Sequence, residues 1–342
     1  MKAVIFRRHG GPEVLEYAEM SDPTVEPGGI VVRVKACALN HLDLWIRQGI
    51  PAYHVTLPHI SGCDVAGVVE HIGSGVTSVK PGDRVVLAPG IGCGLCEWCR
   101  AGQDNLCVSY RIRGAGTDGG YAELIGARAG DVLPLPERLS FEEAAAFPLV
   151  FLTAWHMLVT RARLQAGETV LVQAAGSGVG HAAVQIAKHL KAMVYATVGS
   201  DAKAVKAKSL GADEFINYQR EPVHERVKAL TRERGVDVVF EHVGPQTWEG
   251  SVRSLAKGGR LVTCGATSGP TTTLDLRYLF SRQLSMLGSL MGTRAELEQV
   301  TRLIGQGALR PVVDTVFPLR EARRAQERLL NREVFGKLVL TS

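Results

Sequence analysis

Sixteen residues at 92–107, GCGLCEWCRAGQDNLC, carry Cys93, Cys96, Cys99 and Cys107 with the spacing C-x2-C-x2-C-x7-C. Cysteines this dense close a disulfide, hold an iron–sulfur cluster or bind a metal. Seven cysteines is an odd number. The N-terminal stretch MKAVIFRRHGGPEV lacks the apolar core and cleavage site of an export signal. Reduced thiols and metal ligands are therefore expected over a disulfide framework, in a soluble, cytoplasmic protein.

A second chemistry-bearing stretch is the turn AAGSGVGHA at 174–182. Small residues there let a backbone approach a pyrophosphate, and a helix start offers free N–H donors and a positive dipole end. A strict G-x-G-x-x-G is absent, because Ala175 and Ser177 stand where its first two glycines would be. Gly176, Ser177, Gly178, Val179 and Gly180 still make a tight nucleotide-binding turn. An acidic residue about 20 positions on would hold the ribose of NAD. The next strand instead ends Val198-Gly199-Ser200. A missing carboxylate permits NADP, with Ser200 and Lys203 as phosphate contacts, while Asp201 keeps NAD possible.

These stretches need two kinds of scaffold. Before residue 150 the chain alternates short apolar runs with turn residues: IVVRVKACAL (30–39), CDVAGVVEHIG (63–73), DRVVLAPG (83–90) and YAELIG (121–126). That pattern predicts a strand-rich barrel or partly open sheet. From TVLVQAAG (169–176) onward, strands alternate with helical patterns, among them a charged helix at about 221–234. Such alternation predicts an α/β unit, a doubly wound parallel sheet covered on both faces. From Thr293 the chain returns to the first unit. The expected division is 1–149 with 293–342, the metal-bearing lobe lying at about 90–110, and 150–292.

Net charge is +5 and charged residues make up 21%. No run of five or six basic residues occurs, so no nucleic-acid or membrane partner is expected. The longest apolar stretch, AAAFPLVFLTAW, is too short to span a bilayer.

Several stretches together resemble the medium-chain dehydrogenase/reductases, a family of zinc alcohol dehydrogenases and zinc-free quinone oxidoreductases. They are the cysteine lobe, VKPGDRVV, AGSGVG, LGADEFINY, GGRLVTCG and FGKLVL. The resemblance covers essentially the whole chain. It implies a GroES-like β-rich catalytic domain around a Rossmann domain, hydride transfer, and a homodimer or homotetramer. The apolar QLSMLGSLMG (283–292) is expected at a sheet edge, where two-fold pairing would extend the sheet. Thr153, Val243, Cys264 and Gly265 lie at predicted helix starts or strand ends and are expected to face the nicotinamide, and Lys337 is a further expected cofactor contact; the resemblance implies Lys203 and Tyr218 on an NADP 2′-phosphate. Four cysteine ligands suit one zinc and leave no open position, so Cys93, Cys96, Cys99 and Cys107 are expected to hold a structural ion. Spacing alone leaves an iron–sulfur cluster as the chemical rival.

The sequence departs from the alcohol dehydrogenase pattern at each place where a catalytic zinc would find a ligand. Asn40 stands at the first cysteine position with His41 after it, and Leu42 replaces the hydroxyl of the proton relay. Cys63 and Asp64 stand where that family has His-Glu, and FPLVFLTAW offers no third ligand. ALNHLDLWIRQG and SGCDVAGVV are similar instead to quinone oxidoreductases. Candidate catalytic residues are thus Asn40, whose amide would donate to the oxyanion, His41, Cys63 and Asp64. Tyr53, Cys63 and His59 are proton-relay candidates, and His41 or His59 would complete an unusual zinc set. The main expectation is an NAD(P)H-dependent reductase acting on a quinone or conjugated carbonyl without catalytic zinc. A zinc-dependent alcohol dehydrogenase with an altered ligand set, and a non-catalytic NADP-binding protein, are the alternatives.

Overall fold

A computed structural model of the chain describes residues 1–51 and 53–342. Two compact units emerge: Met1–Leu149 with Thr293–Ser342, and Val150–Gly292.

The first unit is built on strands. Val- and Ile-rich runs with Gly and Pro between them fit pleated, half-buried surfaces. Gly29–Ala38 is the central strand, flanked by Asp64–Ile72 and Lys337–Thr341. Outward from the first flank lie Arg84–Leu87 and Val132–Pro134; beyond the other lies Val313–Pro318. The C-terminal strand runs antiparallel to the central one, with Val339 opposite Ala38, and Asp64 also pairs with Ala38. This register brings Asp64 and the start of the C-terminal strand to the same end of the sheet. The strand expected at 121–126 begins instead at Leu124. Tyr121 bonds to Ser61 and Val4, and Ala122 bridges to Ala3, so their backbones serve a different neighbour.

The second unit holds six parallel strands: Thr169–Val172, Met193–Val198, Glu214–Asn217, Val236–Glu241, Leu255–Thr263 and Ser285–Gly288. Numbered along the chain, their order in the sheet is 3-2-1-4-5-6. This is the doubly wound arrangement, with its switch point beside the first strand. Leu171, Ile216, Val236, Val239, Leu255 and Leu261 form part of its core. The helix expected over 221–234 is confined to Val223–Leu230. Arg232 and Glu233 adopt positive φ (51° and 66°), which a right-handed helix does not allow. Ser285–Gly288 lies at one edge of the sheet. Among the described residues no helix is long and apolar enough to cross a membrane.

Candidate active site and metal lobe

The nucleotide turn follows the first strand of the parallel sheet. Ser177 caps the helix Gly178–His189, its hydroxyl accepting from the Gly180 N–H at 2.9 Å. A Cβ on Gly180 would stand 2.4 Å from the Ala174 carbonyl oxygen, so only glycine lets the helix start this close to the strand end. We expect Gly180→Val to weaken dinucleotide binding about tenfold or more. Cofactor fluorescence titration checks this, and unchanged affinity would count against this turn as the cofactor site.

At the end of the second strand, Ser200 caps the helix Asp201–Ser209 and accepts from the Lys203 N–H. The Tyr218 hydroxyl overhangs Gly199 so closely that a Cβ there would meet it at 2.5 Å. Ser200, Lys203 and Tyr218 therefore gather around one strand end. Asp201 is engaged by Arg220 (2.7 Å) and Asn217 (3.2 Å). Val243 follows the strand Val236–Glu241, and its N–H donates to the buried Glu241 carboxylate. The Cys264 N–H faces the Glu241 carbonyl at 3.4 Å, and Gly265 packs on His242. The Thr153 hydroxyl meets the Met291 sulfur at 4.0 Å.

In the β-rich unit, Asn40, Cys63, Asp64 and Lys337 form one buried group. The Asn40 amide nitrogen donates to Asp64 Oδ2 at 2.8 Å and to Cys63 Sγ at 3.2 Å. Lys337 Nζ donates to Asn40 Oδ1 at 2.6 Å and to Asp64 Oδ2 at 3.0 Å. The Leu149 N–H donates to Asp64 Oδ1 at 2.8 Å. The Asp64 and Lys337 side chains are 0% and 2% exposed. A buried ion pair persists only when each charge is hydrogen-bonded as well, and both are.

An amide has two N–H donors, and here Asn40 directs them at Asp64 and Cys63, so donating to a substrate oxyanion, as expected from the sequence, would require releasing one of them. Burial pushes the Cys63 thiol well above the ordinary thiol range, with Asp64 adding to it, so the group is a neutral S–H at pH 7.

His59 stands apart. Its Nε2 faces the Gly114 carbonyl at 3.0 Å, Nδ1 lies 3.6 Å from Asp118, and burial lowers its pKa. Both ring nitrogens thus face protein groups, Gly114 and Asp118. His41 packs edge-on to Trp45 at the start of the helix His41–Gln48. Tyr53 is half-buried, and burial followed by Cys63 raises its pKa.

Neither Asp43 nor Tyr121 was among the site residues expected from the sequence. The fully buried Asp43 carboxylate accepts from the Asn40 N–H (2.7 Å), the Gly62 N–H (3.2 Å) and the Tyr121 hydroxyl (3.0 Å). Burial raises its pKa to about 6. The available signal was an Asn with an acid three residues later, which marks a helix start.

The four lobe cysteines converge. Their sulfurs all lie within 4.8 Å of one another, with 3.9 Å between Cys93 and Cys99. A tetrahedral zinc with Zn–S of about 2.3 Å sets its sulfurs about 3.8 Å apart. Several irons and their bridging sulfides would need a wider cage. The Leu95 and Cys96 N–H groups donate to Cys93 Sγ and pull its pKa down to about 6. Such donors stabilise a thiolate at Cys93, whereas burial and the neighbouring cysteines push the Cys99 thiol up to about 12, a cost that a bound cation would offset. Among the described residues, no other group of three or more His, Cys, Asp or Glu ligand atoms gathers this closely.

Comparison with known proteins agrees with both units. Residues 26–137 match the alcohol dehydrogenase GroES-like domain, and residues 178–306 match the zinc-binding dehydrogenase family. The chain is 34% identical to an alcohol dehydrogenase of Geobacillus stearothermophilus over 99% of both chains. It is 35% identical to a quinone oxidoreductase of Salmonella typhimurium over 98% of both. A solved NAD-dependent alcohol dehydrogenase superposes with a TM-score of 0.96 at 47% identity, covering all of both chains. The chain therefore belongs to the medium-chain dehydrogenase/reductase superfamily, as an NAD(P)-dependent oxidoreductase with a Rossmann domain and a GroES-like domain.

Proposed function

We propose that the enzyme passes hydride from NADPH, or NADH, to a quinone or conjugated carbonyl, and that it activates this acceptor without a catalytic zinc. The observation that carries the reading is the Asn40–Asp64–Lys337 group. A catalytic zinc needs three protein ligands and an open position. Here Asn40 is a poor ligand, Cys63 is a neutral thiol, and the Asp64 carboxylate is already bonded to an ammonium and two N–H groups. These residues do not fit a catalytic zinc. A conjugated acceptor needs less polarisation than a simple ketone, because conjugation spreads the developing charge. The cofactor supplies the hydride; the chain supplies position, water exclusion and a proton. Tyr53 or Cys63, each a neutral donor, supplies that proton. Ser200, Lys203 and Tyr218 at one strand end favour NADP.

A second reading is a zinc-dependent alcohol dehydrogenase with an altered ligand set. The comparisons favour it, since an NAD-dependent alcohol dehydrogenase is 47% identical over the whole chain. Polarising an alkoxide on the ion would then drive the chemistry. Metal analysis beside an acceptor screen with both cofactors separates the two. One zinc per chain and NADPH-dependent enone or quinone reduction are expected. Two zincs per chain with alcohol oxidation would establish the second reading instead. Binding of cofactor with no turnover on any acceptor would leave a non-catalytic dinucleotide-binding protein.

The edge strand Ser285–Gly288 supports a homodimer built by edge pairing. Sedimentation equilibrium reads this directly, and a monomer at micromolar concentration would sink it.

A further inference from the structure

Four buried polar side chains lie at the switch point of the parallel sheet. Thr197 is on the second strand, Gln173 follows the first, Glu241 ends the fourth, and Ser251 is on the helix Pro245–Ser254. Glu241, Ser251 and Thr197 are 0% exposed and Gln173 is 2% exposed, so they act on a ligand only through their neighbours.

Their hydrogen bonds run in one direction. The Ala174 N–H donates to Thr197 Oγ1 at 2.8 Å, and that hydroxyl donates to Gln173 Oε1 at 2.9 Å. Gln173 Nε2 donates to Ser251 Oγ at 3.0 Å, and Ser251 donates to Glu241 Oε2 at 2.6 Å. Each side chain along the way accepts one bond and donates the next. Bonds arranged this way polarise one another, and the relay ends on a carboxylate.

Both ends of the relay fix backbone. Ala174 opens the nucleotide turn with a positive φ (47°), a conformation that a residue with a Cβ keeps only where its surroundings impose it. Its N–H is the group held by Thr197, and its carbonyl is the one that Gly180 approaches. At the other end, Glu241 Oε1 accepts from the N–H groups of His242 (2.8 Å), Val243 (2.6 Å) and Gly244 (3.2 Å). Oε2 also accepts from the Thr247 hydroxyl at 2.9 Å. One carboxylate thus holds the whole segment between the fourth strand and its helix. His242 makes a second crossing, with Nε2 facing the Gln173 carbonyl at 2.9 Å and the Ser177 hydroxyl at 3.3 Å.

We propose that Glu241 is a positioning residue for the dinucleotide: through Ser251, Gln173 and Thr197 it holds the 242–244 segment and the 174–180 turn in the arrangement that the cofactor recognises. This role presupposes dinucleotide binding at the 174–180 turn, and the Gly180→Val variant separates the two.

NADPH and NADH affinities of the intact protein are measured by cofactor fluorescence, beside thermal melts. Thr197→Val keeps the shape of the side chain and removes the hydroxyl; Thr197→Ser keeps the hydroxyl and loses a buried methyl. Both should lower the Tm. Thr197→Val should also weaken dinucleotide binding about tenfold, whereas Thr197→Ser should bind as wild type does. Affinity that falls equally in both, following Tm rather than the hydroxyl, would overturn the role. Glu241→Gln should weaken binding by a factor similar to Thr197→Val. The Glu241→Gln/Thr197→Val double variant should lose little more than either single variant, because one broken link already opens the relay. Losses that multiply would overturn the role as well. Should either variant fail to fold, Ser251→Ala, which removes the middle hydroxyl, takes its place in the cycle. Weak binding by Gly180→Val beside wild-type affinity in folded Thr197→Val would overturn the role of Glu241 alone. Wild-type affinity in both would remove the cofactor from this turn, and the role with it.

Discussion

Chelating the bound metal, or replacing Cys99 with serine, is expected to unfold the lobe at 90–110 and lower the Tm of the β-rich unit by about 10 °C or more. The lobe has little else to hold it. Its helix, Glu97–Arg100, is four residues long, and its 3-10 turn, Asp104–Leu106, is three. Neither length supports a helix alone. Its apolar side chains face outward, with Leu95 73% and Val108 85% exposed. With no apolar core, four metal–thiolate bonds must supply the folding free energy. In isolated zinc-finger peptides that amounts to about 10–16 kcal/mol. Loss would spread beyond the lobe, because Asp104 accepts from the Arg294 N–H at 2.9 Å and so anchors the start of the helix Arg294–Gly305. Zinc content and thermal melting with and without chelator check this. A Cys99→Ser protein that kept wild-type Tm would show the lobe to be held by something other than metal.

Lys337→Met should cost about 3–5 kcal/mol, the range for removing one partner of a buried ion pair. Methionine matches the lysine stem but leaves the Asp64 carboxylate buried beside only the Asn40 amide and the Leu149 N–H. It also removes the partner of Asn40 Oδ1, which would free the amide to rotate and release Cys63. Pairing Lys337→Met with Asp64→Asn should recover a large part of the loss, because the uncompensated charge disappears. Denaturant melts of both single variants and the double variant measure the coupling. Additive losses, with no recovery in the double variant, would mean that the ion pair is not what couples these positions.

How much could be read from the chain differs between its parts. The six-stranded parallel sheet was legible because strands buried on both faces read as uninterrupted apolar runs such as TVLV, MVYATV and VDVVF. The cysteine lobe was legible because ligand spacing is local. The group at Asn40 was legible only as residue types. Lys337 lies 273 positions from Asp64, and strand register, which no local pattern encodes, brings them together. The same limit explains Tyr121 and Ala122: an alternating pattern predicts a strand but does not say which neighbour it joins.

The central strand Gly29–Ala38 pairs with Lys337–Thr341 along its edge, and this has a consequence during synthesis. The sheet that carries Asn40 and Asp64 has to wait for a strand translated some three hundred residues later. The contiguous span Val150–Gly292 can meanwhile close its own core as it leaves the ribosome, in the manner of domains that fold as units. Newly made chains should therefore acquire the ability to hold a dinucleotide before they acquire the ability to turn over.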